Sequence, residues 1–341
     1  MHYIKFAKST MNLKSLISFL ILFIFISCSE STDEESSTTP DSVTYSVQIS
    51  AASGGTVDNS GGSFDSGSTL TVTAIPNSGY AFINWSDDTT DNPKELNVNS
   101  NLTLTANFEE AFTVSTEFAE LYNSIDGLST VGDNQILKSG LESVRELDLS
   151  DPTGGSTIGF LDDLSGIENF TNLRRLTIDR QSLRNIDLSK NTKLEYIHIW
   201  NNKLISINLD GLENLETLEL NGNKLESIDL SDSPYITHLR LAQNFFSSYD
   251  LSSTPRVNYL VLKSNPLTQL SNLNDLTLLK YLYMGSTNLS SLDVSQLPSL
   301  EVVEVPDTNL LNCIQVSQNQ LDNFVSTWRN DEGDVFSLNC D

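Results

Sequence analysis

Tyr196, His238, Tyr259 and Tyr281 stand 42, 21 and 22 residues apart. A chain that turns back on itself once per interval would stack these rings in one column. His198, Trp200, Arg240, Lys263 and Tyr283 lie within a few residues of the same positions. Aromatic rings and guanidinium groups are the side chains that recognition surfaces favour, because they offer broad apolar area with a polar tip. Catalysis has much less to work with. The chain contains no G-x-S-x-G, no H-E-x-x-H and no phosphate-binding glycine loop. The acidic run DDTTD at 87–91 lacks the alternating ligands and central glycine of a calcium loop and reads as a turn. No catalytic residue, metal or cofactor is expected.

The element that would position those residues is a repeat. LETLELNGNKLESIDLSDSPY at 215–235 recurs as related segments starting at 173, 194, 236, 257, 279 and 300. A looser copy begins with VRELDLS at 144 and resumes at LSGIENFTN after an eight-residue insertion, so that it runs 29 residues. The pattern L-x-x-L-x-L-x-x-N-x-L at this period resembles the leucine-rich repeat. That resemblance implies an α/β horseshoe solenoid, β-rich because its repeats are only about 21 residues long. The L-x-L pair puts two leucines on one face of a short strand. The following I-D-L turns two more residues inward, and stacked coils bury together what none can bury alone.

Asn202, Asn223, Asn244 and Asn265 recur at the bend, where an amide can serve backbone groups left unpaired by the turn. Gln181, Thr287 and Thr308 replace them, so this ladder is expected to weaken at both ends. The five outward positions of seven regular coils hold six basic and seven acidic residues. Tyr196, His238, Tyr259 and Tyr281 share one outward column, spread over about 19 Å. His198 and His238, two coils apart, are roughly 10 Å from each other, too far to share one zinc.

Residues 1–27 carry Lys5, Lys8 and Lys14 and then an apolar run from Leu16 to Ile26 broken only by Ser18. This is the layout of a signal peptide, whether Met1 or Met11 is the start, and the run falls short of the ~20 residues of a spanning helix. Ser27-Cys28 resembles the lipobox of bacterial lipoproteins, although Phe25 stands where leucine is usual. Lipidation at Cys28 leaves Cys313 and Cys340, which an oxidising compartment would let pair. Cys313 is expected to point into the core, in the place that Ile228 takes in its own coil. Without the three leader lysines, 16 basic residues face 45 acidic ones, a formal charge of −29. Such a surface repels nucleic acid and anionic headgroups.

Residues 28–42 are polar and acidic, a flexible tether. Acids just behind a lipidated cysteine resemble the surface-export signal of Bacteroidetes lipoproteins. Residues 43–109 alternate as strands in YSVQIS, TLTVTAI and LTLTANF. Gly55, Pro76, Gly79, Tyr80, Phe82, Trp85 and Phe108 match the divergent internalin-type B-repeat, so this segment resembles that small β-grasp-like module, with Trp85 in its core. Residues 112–143, with the helical stretch TEFAELYNS, are expected to cap the first of the repeats at 144–312. The tail 313–341, with CIQV, Trp328 and FSLNC, resembles the C-terminal cap of repeat proteins from Flavobacteria-like bacteria.

Together these features predict a bacterial surface lipoprotein, anchored in the outer membrane only by lipid on Cys28. It would act as a monomer that binds a protein through the strand face, in adhesion or contact with a host or another cell. Two other functions fit the same sequence: carbohydrate binding, with Trp200 and the tyrosines stacking on sugar rings, and a passive spacer.

Overall fold

A computed structural model describes residues 42–125, 127–132, 134–150, 161–308, 310–331 and 335–340. The leader, Cys28 and nearly all of the tether lie outside them. Among the described residues no helix is long and apolar enough to cross a membrane.

The first module is a sheet in the order Gly61–Asp65, Thr44–Ala51, Leu102–Thr113, Tyr80–Trp85. Thr44–Ala51 pairs antiparallel with Gly61–Asp65 and parallel with Leu102–Thr113. Alternation along Thr44–Ala51 turns Val47 and Ile49 inward onto Leu70, Val72, Leu96, Val98 and Leu104. Trp85 is fully buried among them, and its Nε1 donates to the Asp91 carbonyl at 2.9 Å. Gly55 allows the close packing: a Cβ there would sit 2.4 Å from the Phe108 ring. The run 87–91 folds as a turn in which Lys94 Nζ meets Asp87 at 2.8 Å. Hydrogen bonds from Lys94 and Thr89 hold the Asp87 pKa down to about 2.

The last strand of this sheet runs on to Thr113, where it pairs with Gln135–Leu137. Ser115 then caps the helix Thr116–Ser124, accepting from Phe118 N and donating to the Asp163 carbonyl. That helix buries Phe118 and Tyr122 against Phe170 of the first coil, with ring centroids 5.7 and 5.9 Å away. The apolar end of the solenoid is thereby covered.

Eight parallel strands follow, one per coil, from Glu146–Asp148 to Val302–Glu304. Each presents one central residue inward, including Leu176, Ile197, Leu218, Leu239, Leu260 and Leu282, all wholly buried. The opposite side carries short ladders and the 3-10 turns Ile167–Asn169 and Leu273–Asp275. The α-helices of the described residues all lie in the caps.

After each of the last seven of these strands one residue bends the chain with a left-handed φ: Arg180, Asn201, Gly222, Gln243, Ser264, Ser286 and Asp307. The asparagine ladder follows the bend. Asn223 accepts from Leu204 N at 3.1 Å and donates to the Ile199 and Leu220 carbonyls at 2.7 and 3.0 Å. Asn244 and Asn265 repeat this set, each bonding its own coil and the preceding one.

The expected weakening at both ends is correct at one end only. Gln181 accepts from Leu161 N and donates to the Leu149 carbonyl, because its longer amide still reaches the neighbouring coil. A threonine is too short for that. Thr308 Oγ1 bonds only within its own coil, to Val305, and Thr287 Oγ1 is buried with no partner.

The C-terminal cap closes the last coil. Helix Gln318–Asn323 begins with a reciprocal Ser317–Gln320 capping box, and Trp328 Nε1 donates to the Glu301 carbonyl at 3.0 Å. Cys313 and Cys340 are bonded, with Cα atoms 5.7 Å apart. The inward orientation expected for Cys313 is wrong by one residue. Ile314 pairs with Leu292 and is wholly buried, while Cys313 is half-buried. The last coil holds one extra residue: Leu310 is 55% exposed, and Leu311 takes the core position.

Candidate binding face

Parallel register lines the outward residues of the strands into columns. Tyr196, Thr217, His238, Tyr259 and Tyr281 stand side by side in the first. His198, Glu219, Arg240, Val261 and Tyr283 form the second. Trp200 and Lys263 occupy the same place in their coils, two residues beyond the second column. All nine residues expected at this face therefore lie on one side of the sheet.

The rings are half-buried against one another, except His238, which is exposed. His238 stacks on Tyr259 at 5.7 Å, and Tyr259 lies 5.5 and 5.4 Å from Tyr281 and Tyr283. Guanidinium groups add to the packing: Arg175 sits 3.9 Å over Tyr196 and Arg240 4.7 Å over Tyr259. Burial, followed by the neighbouring Tyr259, pushes the Tyr283 pKa up to about 12.

The centre of the face is ionic. His198 contacts Glu219 Oε2 through Nδ1 at 2.8 Å and Asp179 Oδ1 through Nε2 at 3.1 Å. Two carboxylate partners are best served when both ring nitrogens carry protons. Burial pulls the His198 pKa down, but the Glu219 hydrogen bond and the charges of Asp179 and Glu219 outweigh it, and the net shift is upward. For Glu219 burial acts upward, and the bond to His198 with the charge of Arg240 brings the pKa below its ordinary value.

Asp179 and Glu219 were not among the residues expected to matter. Glu219 was legible, since it stands 21 residues after His198 at an outward position. Asp179 reaches His198 diagonally from the preceding coil, and a column-wise reading does not show that.

A groove of about 440 Å³ opens beside this network, between Trp200 and Asn221 on one side and Lys263, Tyr259, Tyr283 and Glu304 on the other. Ala242 and Val261 form its apolar floor, and Arg240 lines it. Among the described residues, no group of three His, Cys, Asp or Glu side chains is placed to hold a metal ion.

Residues 45–112 match the family model described as a divergent InlB B-repeat domain. Among solved structures, the chain is similar to internalin C2 from Listeria monocytogenes at 23% identity, over 63% of this chain and 93% of that one, with a TM-score of 0.50. It is also similar to a leucine-rich repeat protein of Leptospira interrogans at 22% identity, over 62% of this chain and 53% of that one, with a TM-score of 0.51. The chain thus spans about half the length of the Leptospira protein. Identities this low show the fold alone, and that fold is the leucine-rich repeat solenoid. A comparison with curated proteins finds no match.

Proposed function

We propose that this leucine-rich repeat protein with an internalin-type B-repeat module is a non-enzymatic surface lipoprotein that binds a protein partner. Residues 1–27 direct export, lipid on Cys28 holds the chain in the bacterial outer membrane, and the strand face of the monomeric solenoid meets the partner. The role is adhesion or contact with a host or another cell.

One observation carries this reading. Four aromatic or imidazole rings, Tyr196, His238, Tyr259 and Tyr281, form one column on the solvent side of a sheet that is otherwise strongly acidic in its surroundings. Ring clusters on a solvated face contribute little to a core and suit the buried centre of an interface. The test is cross-linking of the mature chain, made soluble by Cys28→Ser, to proteins of candidate host or neighbouring cells. A partner that is lost when the column is changed to alanine supports the reading. Binding on a glycan array with no protein captured would favour the carbohydrate function instead.

A further inference from the structure

The chain enters the β-module at Thr44 and leaves it at Thr113, and the two residues lie on neighbouring strands. Thr44–Ala51 and Leu102–Thr113 run parallel, with Val47 opposite Leu102 and Ala51 opposite Ala106. A pull on Thr44 and an opposing pull on Thr113 therefore act along the two strands and load them in shear. The bonds of a parallel ladder are evenly spaced along it, so all of them share such a load and must break together. An antiparallel pair pulled from adjacent ends opens one bond at a time.

Further contacts resist the same slip. Ser46 N donates to Asn101 Oδ1 at 2.8 Å, the Ser50 and Thr105 hydroxyls meet at 3.0 Å, and Ala52 N donates to the Ala106 carbonyl at 2.8 Å. Val47 and Ile49 of one strand and Leu104 and Ala106 of the other are buried in the core of the module. A slip of one residue would turn a whole set of inward side chains outward. Leu102–Thr113 is also paired on its other side, with Tyr80–Trp85.

The exit is braced too. Only Val114 and Ser115 separate this strand from the helix Thr116–Ser124. Val114 N donates to the Asn134 carbonyl at 3.0 Å, and a Cβ on Gly166 would lie 2.5 Å from Val114 Cγ1. Lys138 Nζ pairs with Glu110 at 2.6 Å, and Ser139 N donates to Glu109 Oε1 at 2.7 Å. Load reaching Thr113 passes into the cap and the first coil with no linker between.

We propose that the β-module is a mechanical clamp, which keeps the solenoid joined to its anchor when a bound partner pulls on it. This rests on the reading of the chain as lipid-anchored at Cys28 and occupied at the strand face. Thr44 begins the first described strand after Cys28, so the pull from the anchor enters at one end of the sheared pair.

Single-molecule stretching of the mature chain, made without residues 1–27, tests the clamp. The Cys28 thiol then carries one handle, while Cys313 and Cys340 are bonded to each other. With the second handle on exposed Glu120→Cys, Thr44 is pulled against Thr113. With it on exposed Ser66→Cys, the adjacent ends Thr44 and Asp65 of the antiparallel pair are pulled apart. In the first geometry the module should yield in one step releasing about 240 Å of chain, the extended length of residues 44–113. At equal loading rate its force should be several times that of the first event in the second geometry, where Gly61–Asp65 peels from the sheet edge.

Equal forces in the two geometries overturn the clamp. So does release in several short steps in the first geometry, or escape of the cap helix before the module opens. A fatty-acid label that persists in Cys28→Ser removes the anchor, and with it the load, even where the two forces differ as expected.

Discussion

The rings of His198 and Trp200 stack with centroids 4.3 Å apart and planes 27° from parallel. The contact joins an imidazole held between two acids to the indole that walls the groove. A change in the charge of His198 is thus felt at the centre of the candidate binding face.

The first prediction follows from that contact. The folded-state pKa of His198 lies above its ordinary 6.5, so folding favours the protonated ring. The stability this supplies is fully present below about pH 6.5 and is lost as pH rises through the folded-state pKa. Melting temperature should therefore fall as pH is raised from 6 to 8, and His198→Gln should flatten the decline. A proton NMR titration placing the His198 midpoint below 6.5 would contradict the two-carboxylate arrangement.

The asparagine ladder makes the second. Asn223→Ala removes three hydrogen bonds, at about 1 kcal/mol each, for a loss near 3 kcal/mol; it strands the Leu204 N–H and the Ile199 carbonyl, while the Leu220 carbonyl keeps Asn244. Thr287→Val removes a buried hydroxyl that has no partner and should be neutral or stabilising by up to about 1 kcal/mol. Chemical denaturation of both variants checks the contrast. Equal costs at the two positions would mean that the amide bonds contribute nothing specific.

The third concerns the Cys313–Cys340 bond, which spans 27 residues. Chain entropy for a loop of that length corresponds to about 3.5 kcal/mol. Reduction should loosen the C-terminal cap first. Hydrogen exchange would then accelerate in Cys313–Gln315 and Val335–Ser337 before it does in the central strands. Uniform acceleration along the solenoid would show that the bond stabilises the whole array.

Much of this architecture was legible because a short repeat restates its own rule. The outward column from Tyr196 to Tyr281 and the ladder from Asn202 to Asn265 both follow from counting 21 or 22 residues. Counting fails where an insertion falls between like residues. Leu310 and Leu311 are adjacent leucines, either of which satisfies the pattern, and only packing decides that Leu311 goes inside. The error carries forward to Cys313. Gln181 shows the opposite case: a residue that breaks the consensus keeps the bond because its amide can reach. The Asp179 contact of the His198 network escaped because that side chain reaches diagonally across coils, which no linear period encodes.

The fourth prediction tests the anchor. Cys28→Ser should abolish incorporation of a labelled fatty acid, with the protein released or retained as precursor. Labelling that persists in the variant would assign the lipid elsewhere or remove it from the account.

The fifth separates recognition from folding on the same strands. Tyr196, Trp200, Tyr259 and Tyr281 are half-buried and outward, whereas Leu218 and Leu239 are wholly buried. Alanine at an outward ring should cost at most about 1.5 kcal/mol, part of it from the lost stacking on His198 or Tyr259. Alanine at Leu218 or Leu239 empties core volume and should cost about 2 to 5 kcal/mol. Partner binding should invert that order. An outward ring that anchors a partner should lose about 2 kcal/mol of binding, roughly thirtyfold in affinity. Denaturation curves and binding isotherms on the same variants give both numbers. If the outward changes melt the fold, or if a captured partner binds the quadruple variant unchanged, the aromatics are strand packing and the partner docks elsewhere.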